Sequence, residues 1–384
     1  MCEWEYRGAK VSASCEKGGK ILEQYVVSQI NFSTLAILFC LMGVVEGFRK
    51  LGYVDRIAVY FTRFSARIRL MEGVMILSCF VFAMFLTNDV ALIVMVPFTI
   101  RLLEQMDRED LLIRIIVLET VAANIGGMGT PIGNPQNLYL YQYYDMQLTD
   151  FFRTVLPYTV TAAALLLLLV FGEKGRKTDG STECMSEVKK KNKHNETDKD
   201  NDRESKHIYI VKNIKTVLYL FLFMLCILTV LDRISYAITF LTVMVAMLLV
   251  DRELLKNINY GLLLKFVGLF LLVGNIAAIP FIREQLQELV VGREFLTGIL
   301  LSQFISNVPA AVMLSRFTAN GKLLLVAVDV GGLGTLIASM ASMISFDFYL
   351  KRKGSQKRKY LFMFTGYNLL FLMVMIVVYL FYGS

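Results

Sequence analysis

The chain has 384 residues, is 56% hydrophobic and has a mean hydropathy of +0.56, more apolar than a soluble domain. Its net charge of +8 does not point to nucleic acid. The basic residues sit in loops and at helix ends, where membrane topology places them, and form no basic face.

Cysteines stand at positions 2, 15, 40, 79, 184 and 226 with no CxxC spacing, so neither a zinc site nor a disulfide framework is implied. Both histidines, His194 and His207, lie in a polar stretch away from the apolar runs. No HExxH, nucleophile elbow or intramembrane histidine supports an enzyme.

Residues 1–29 form a polar N-terminal segment with no signal-peptide core. Apolar runs follow at Phe32–Phe48, Tyr158–Phe171, Thr216–Leu231, Tyr236–Val250, Leu262–Ile279 and Tyr360–Tyr382. Each is near the length that crosses a bilayer core. The alternation of a membrane barrel is absent, so the fold class is an all-α polytopic membrane protein.

A first transmembrane repeat spans residues 30–171 and a second spans 214–384. Between them, residues 172–213 are dense in charge and read as a disordered cytoplasmic linker. Within the first repeat, residues 114–143 carry "NIGGMGTPIGNPQNL" from Asn124 to Leu138. "DVGGLGTLIASMASM", from Asp329 to Met343 within 323–349, repeats it ungapped at an offset of 205. Helix-breaking sequence at membrane depth is tolerated only where protein buries it or it lines a wet cavity. Both stretches are therefore read as broken transmembrane helices, with carbonyls suited to Na⁺ and half-helix N-termini suited to an anion.

"FLTNDVALIVM" at Phe85 aligns with "FISNVPAAVML" at Phe304, and "INFSTLAILF" at Ile30 echoes "INYGLLLKFV" at Ile258. Arg49, Lys50, Arg56, Arg63, Arg67 and Arg69, the linker, and Lys351–Lys359 mark cytoplasmic segments. Residues 71–105 must then begin and end in the cytoplasm, and residues 294–320 outside. Both are read as re-entrant hairpins, which makes the chain an inverted-topology repeat. The second half has two spans before its "INYG" block and the first has none before "INFS". Two further spans are expected upstream, either lost from the chain or encoded ahead of its start.

Asp89 at the first tip and Asp329 at the second break are the intramembrane carboxylates expected to couple transport to an ion. Glu46 and Glu119 are expected near the interfaces, Lys265 as a helix-end anchor, and Arg283, Arg293 and Arg316 on a solvated rim.

"TNDVALIVMVPF", "ANIGGMGTPIGNPQNL" and "SNVPAAVMLS" resemble the hairpin-tip and broken-helix motifs of the ion transporter superfamily, which includes arsenite permeases, citrate transporters, sodium/proton antiporters and divalent-anion/sodium symporters. The resemblance implies a scaffold and a moving transport domain, elevator movement and a homodimer. It implies a cation and substrate site drawn from Thr87, Asn88, Asp89, Gly127, Thr130, Asn134 and Asn137 with Ser306, Asn307, Gly332, Thr335 and Ser339. Na⁺ would sit at Thr87 and Asn88 and at Ser306 and Asn307. The symporters carry Ser-Asn-Thr at both tips, whereas the third positions here are Asp89 and Val308. That leaves Na⁺ and H⁺ both open as the coupling ion.

The function expected is secondary transport of a small anion, a di- or tricarboxylate or an inorganic oxyanion, across the plasma membrane, with no further cofactor. A cation/proton antiporter on the same scaffold and a transport-dead remnant are the alternatives. The placement of the linker is testable. With the other cysteines removed, Cys184 should react with a membrane-impermeant thiol reagent only after cells are opened. Labelling of intact cells would reverse the topology.

Overall fold

The computed structural model describes residues 4–6, 9–11, 29–52, 68–172 and 202–382. Apart from a short antiparallel ribbon, β1 (Trp4–Tyr6) with β2 (Ala9–Val11), the described elements are helical. The first half runs α1 (Phe32–Lys50), α2 (Ile68–Leu86), α3 (Asn88–Gln105), α4 (Leu112–Met128), α5 (Pro135–Tyr143) and α6 (Leu148–Phe171). Then come α7 (Asp202–Val230), α8 (Tyr236–Val250) and the short α9 (Glu253–Asn257). The rest is α10 (Tyr260–Ala277), α11 (Pro280–Val290), α12 (Glu294–Ile305), α13 (Asn307–Leu314), α14 (Gly321–Gly331), α15 (Met340–Leu350) and α16 (Lys357–Tyr382). Among the described residues, seven helices are long and apolar enough to cross a membrane. Helix α7 begins at Asp202, so the last part of the expected 172–213 linker is helical; residues 173–201 lie outside the described residues.

Local chemistry explains where helices begin. The "IN" of both echoing blocks is an N-cap: Asn31 accepts a hydrogen bond from the Thr34 amide and Asn259 from that of Leu262. Asn320 caps α14 in the same way, and Pro135 opens α5, where the absent N–H leaves no partner wanting.

Two apolar cores result. The first gathers α2, α3, α4, α6 and α16 with inner faces of α12, α14 and α15; the second gathers α1, α5, α7, α8, α10 and α13 with the other face of α14. Every residue of α4 is buried, so this helix is the axis of the first core. The outermost apolar side chains are exposed, Phe362 at 85% and Leu249 at 78%. Such a belt fits hydrocarbon rather than water as its solvent.

Charge ties the ends of the helices. Lys50 bridges Asp251 at 2.8 Å and Glu253 at 2.5 Å, and its ammonium holds the Glu253 carboxyl below the ordinary range. Arg352 pairs with Glu104 at 2.6 Å and also with Glu109. Lys322 bridges Asp150 at 2.9 Å and joins the starts of α14 and α6. Inside the first core, Arg114 pairs with Glu72 at 3.1 Å and donates to the Leu169 carbonyl at 2.7 Å. Burying that ion pair is tolerable because both partners are engaged.

Helices α2 and α4 meet backbone to backbone. A Cβ on Gly126 would lie 2.1 Å from the Phe80 carbonyl oxygen. Gly126→Ala must push the helices apart and should destabilise the protein by about 1–3 kcal/mol. The readout is the thermal midpoint in detergent. At Gly366 in α16 a Cβ meets nothing within 4 Å, so Gly366→Ala should leave the midpoint unchanged or raise it. Equal midpoints for the two variants would contradict the close α2–α4 contact.

Candidate functional site

Four irregular stretches meet inside the bundle. Helices α2 and α3 are separated by Thr87 alone, and α12 and α13 by Ser306 alone. Both linking residues adopt positive φ, Thr87 at φ 74°, ψ 149° and Ser306 at φ 76°, ψ 153°. L-residues rarely adopt this backbone, so each tip is held by its surroundings. Among the glycines of the breaks only Gly334, at φ 122°, adopts positive φ. Gly126, Gly127 and Gly133 serve close approach.

Each tip is fastened to a break. The first amide of α3, at Asn88, donates to the Gly133 carbonyl at 3.0 Å, and Ser306 Oγ donates to the Ala338 carbonyl at 3.4 Å. Gly133 and Ala338 correspond at the offset of 205, and each precedes the N-cap of the half-helix after its break. Those N-caps, Asn134 (φ −137°, ψ 145°) and Ser339 (φ −136°, ψ 134°), are extended alike. The second arm of each hairpin packs on the broken helix of the other half, α3 on α15 and α13 on α5.

Two buried polar clusters follow. In the first, Asn124 Oδ1 accepts from Asn88 Nδ2 at 3.3 Å and from Ser339 Oγ at 2.9 Å, while Asn124 Nδ2 donates to Ser342 Oγ at 3.3 Å. The second holds the corresponding positions. Asp329 Oδ1 accepts from Gln136 Nε2 at 3.1 Å, and the side chains of Asn134 and Asn137 lie against the same carboxylate. Asn137 Nδ2 faces the carbonyls of Gly127, Met128 and Thr130 at 3.1, 3.4 and 3.3 Å, which fixes that amide's orientation. Asn134 rests on Gly127, where a Cβ would sit 2.1 Å from its Oδ1. Asn307 rests on Gly332 in the same way, its Nδ2 2.8 Å from the position of a Cβ.

The expected site residues therefore divide. Asn88 and Ser339 belong to the first cluster and Asn134, Asn137 and Asp329 to the second, with Gly127 beneath Asn134; Asn307 packs on Gly332, and Thr87 and Ser306 set the tips. Thr130 Oγ1 donates to the Met84 carbonyl at 2.5 Å and Thr335 Oγ1 to the Gln303 carbonyl at 3.0 Å, so both hydroxyls pin a break to a hairpin arm. Asp89 is half-buried, and its carboxylate hydrogen-bonds to neither cluster; Lys265 of α10 is the cation whose field reaches it. Lys265 and the rim residues Arg283 and Arg293 are exposed, while Arg316 is half-buried, 6.0 Å from the Tyr143 ring centroid. Glu46, expected near an interface, pairs with Arg49 at 2.7 Å. Glu119 does not fit that expectation: it is fully buried and takes a 2.6 Å hydrogen bond from Thr99. The burial of α4 on all sides overrides the position its sequence suggested.

Asn124, Gln136 and Ser342 were missed as site residues. The signal for two of them was present. The offset that maps Asn134 onto Ser339 also maps Asn124 onto Asp329 and Asn137 onto Ser342. Gln136 maps onto Ala341 and has no such trace.

A transporter of Methanocaldococcus jannaschii is 31% identical over 320 residues, 82% of this chain and 80% of the relative. The inner membrane protein YbiR of Escherichia coli is 29% identical over 319 residues, 82% of this chain and 79% of the relative. The low-affinity phosphate transporter PHO90 of Saccharomyces cerevisiae is 34% identical over 99 residues, 24% of this chain and 11% of the relative. The citrate transporter family matches residues 17–320. A multi-pass helical chain with duplicated tips and breaks, matched in this way over most of its length, belongs to the citrate transporter family of the ion transporter superfamily.

Proposed function

We propose that this chain is a secondary active transporter that carries a small anion, a di- or tricarboxylate or an inorganic oxyanion, across the plasma membrane with Na⁺ or H⁺. The observation that carries this reading is the meeting of two tips and two breaks within one buried polar region. Four half-helices begin there: α3, α5, α13 and α15. The positive ends of their helix dipoles favour an anion at such a point. The phosphate transporter PHO90 supports the anion class, and the citrate family supports carboxylates within it.

The recurrence of tip, break and cap supports reading the two halves as an inverted repeat with re-entrant hairpins. The first hairpin's arms, 19 and 18 residues, are longer than the second's 12 and 8. The separate cores support a scaffold of α1, α7, α8 and α10 against a body built on α4. Rigid-body movement of that body, in an elevator sense and in a homodimer with residues 172–213 in the cytoplasm, completes the proposal.

Two measurements test it. Purified protein should gain thermal stability with one class of anion, screened over citrate, succinate, sulfate, phosphate and arsenite, and more so with the coupling ion present. An unchanged midpoint for every anion, together with no uptake into proteoliposomes, would reject the reading. Asn88→Leu leaves Asn124 short of a donor, and Asn307→Leu removes the amide over Gly332. Each unpaired group costs about 1–3 kcal/mol, so uptake should fall about 5- to 150-fold at matched expression. Near-normal uptake by both variants would remove the tips from the site.

A further inference from the structure

Glu119 is a buried ionisable group that neither polar cluster uses. It lies in α4 at 0% exposure, inside the first apolar core. Its Oε1 takes the Thr99 hydroxyl at 2.6 Å, and its Oε2 has no hydrogen-bond partner. Among the described residues no lysine or arginine pairs with it. Glu72, the other buried carboxylate of this core, is answered by Arg114 at 3.1 Å. Arg114 stands five residues before Glu119 and is also held by the Leu169 carbonyl and the Tyr367 hydroxyl.

The helices around Glu119 bring it no positive charge. Cys79 of α2, Thr99 of α3 and Tyr360 of α16 face it. Tyr349 of α15 stacks on Tyr360 with ring centroids 4.9 Å apart, and Tyr158 of α6 is buried in the same core. Asp329 of α14 is engaged by Gln136. An ionised carboxylate without water, with one hydroxyl and no cation, is far costlier than the neutral acid. This conformation therefore holds Glu119 with its proton on. Releasing the proton requires water to enter or the helices to part, so the proton is a ligand that prefers one conformation.

The position of Glu119 carries that preference to the first tip. Helix α3 is tied to α4 twice, by Asn88 to Asn124 at 3.3 Å and by Thr99 to Glu119 at 2.6 Å. Pro97 lies between the ties, and its missing N–H leaves the Ile93 carbonyl without its helical donor. A bend there lets one tie open while the other holds. Beside Glu119, Thr120 Oγ1 donates to Ser345 Oγ at 2.7 Å. Ser345 Oγ reaches the Ser342 carbonyl at 3.2 Å, and Ser342 Oγ accepts from Asn124. A polar row thus runs from the Asn124 cluster to the turn of α4 that carries Glu119. Glu119 is seven residues from the start of α4, about 10 Å along its axis. Tyr360, which lies against Thr120 and Ser345, directly follows the basic stretch Lys351–Lys359.

We propose that Glu119 is a proton-binding site of the transport cycle: with its proton on, Glu119 and Thr99 hold the far part of α3 to α4, and loss of the proton at the basic end releases that tie. In the release step the carboxyl O–H bond breaks, the proton passes to water, and the electron pair stays on the carboxylate. This rests on the transporter reading and deepens it, naming H⁺ as a coupling ion and placing its site apart from the tips and breaks.

The test is uptake of radiolabelled citrate, succinate, sulfate, phosphate and arsenite into proteoliposomes under an imposed pH gradient without Na⁺, alongside infrared difference spectra of the purified full chain across a pH jump. Wild-type protein should accumulate at least one of these anions, and the spectra should show a buried carboxylic acid that titrates. Glu119→Gln keeps a hydrogen-bonding partner for Thr99 and has no proton to release. At matched expression it should lose both the pH-driven accumulation and the infrared signal. If that variant does not fold, Glu119→Met, apolar and of similar volume, should show the same two losses. A purely structural glutamate would leave pH-driven accumulation intact in the glutamine variant, and that result overturns the assignment. A titrating band that survives either substitution overturns it too. Accumulation that needs Na⁺ and ignores the pH gradient would sink the proton site and leave the transporter reading standing. A titrating band lost in Glu119→Gln, with no anion moved under any gradient, would do the reverse.

Discussion

Backbone polar groups have no water to turn to in a bilayer core, and the breaks and tips of this chain are built around that constraint. Each interruption frees N–H and C=O groups, and each set is taken up by the neighbouring interruption. The Gly133 carbonyl accepts from the first amide of α3, the Ala338 carbonyl from Ser306, and the break carbonyls from Asn137 and Gln303. No interruption is tolerable without its partner, which is why tips and breaks occur together.

Close approach follows from the same constraint. Hydrogen bonds near 3 Å between a tip and a break require helices in backbone contact, so glycine stands at Gly126, Gly127 and Gly133. The cost falls on Thr87 and Ser306, side-chain-bearing residues held at positive φ. Their packing against the opposing break over-determines the conformation.

Duplication supplies the frame and divergence supplies the chemistry. The frame recurs down to matched dihedrals at Thr87 and Ser306 and at Asn134 and Ser339. The contents differ by one exchange above all, Asn124 in the first half against Asp329 in the second. An amide can donate and accept and so closes its cluster on itself. A carboxylate only accepts, so Asp329 takes the Gln136 amide as donor where Asn124 both donates and accepts.

The sequence alone determined the membrane class and located the tips and the breaks, because hydrophobic length and helix-breaking residues are local signals. It also marked the "IN" caps, though not as caps. What it did not reveal was which polar residues touch. Asn88 meets Asn124 across 36 residues, and Asn124 meets Ser339 across 215. Such partners depend on how α3 lies on α15 and how α5 lies on α13, which no local pattern encodes. The burial of Glu119 and the engagement of Thr130 and Thr335 by backbone carbonyls were decided in the same way, by which helix surrounds which. Periodicity and composition describe a residue's own segment; the partner of a buried polar group is set by the packing of segments far apart in the chain.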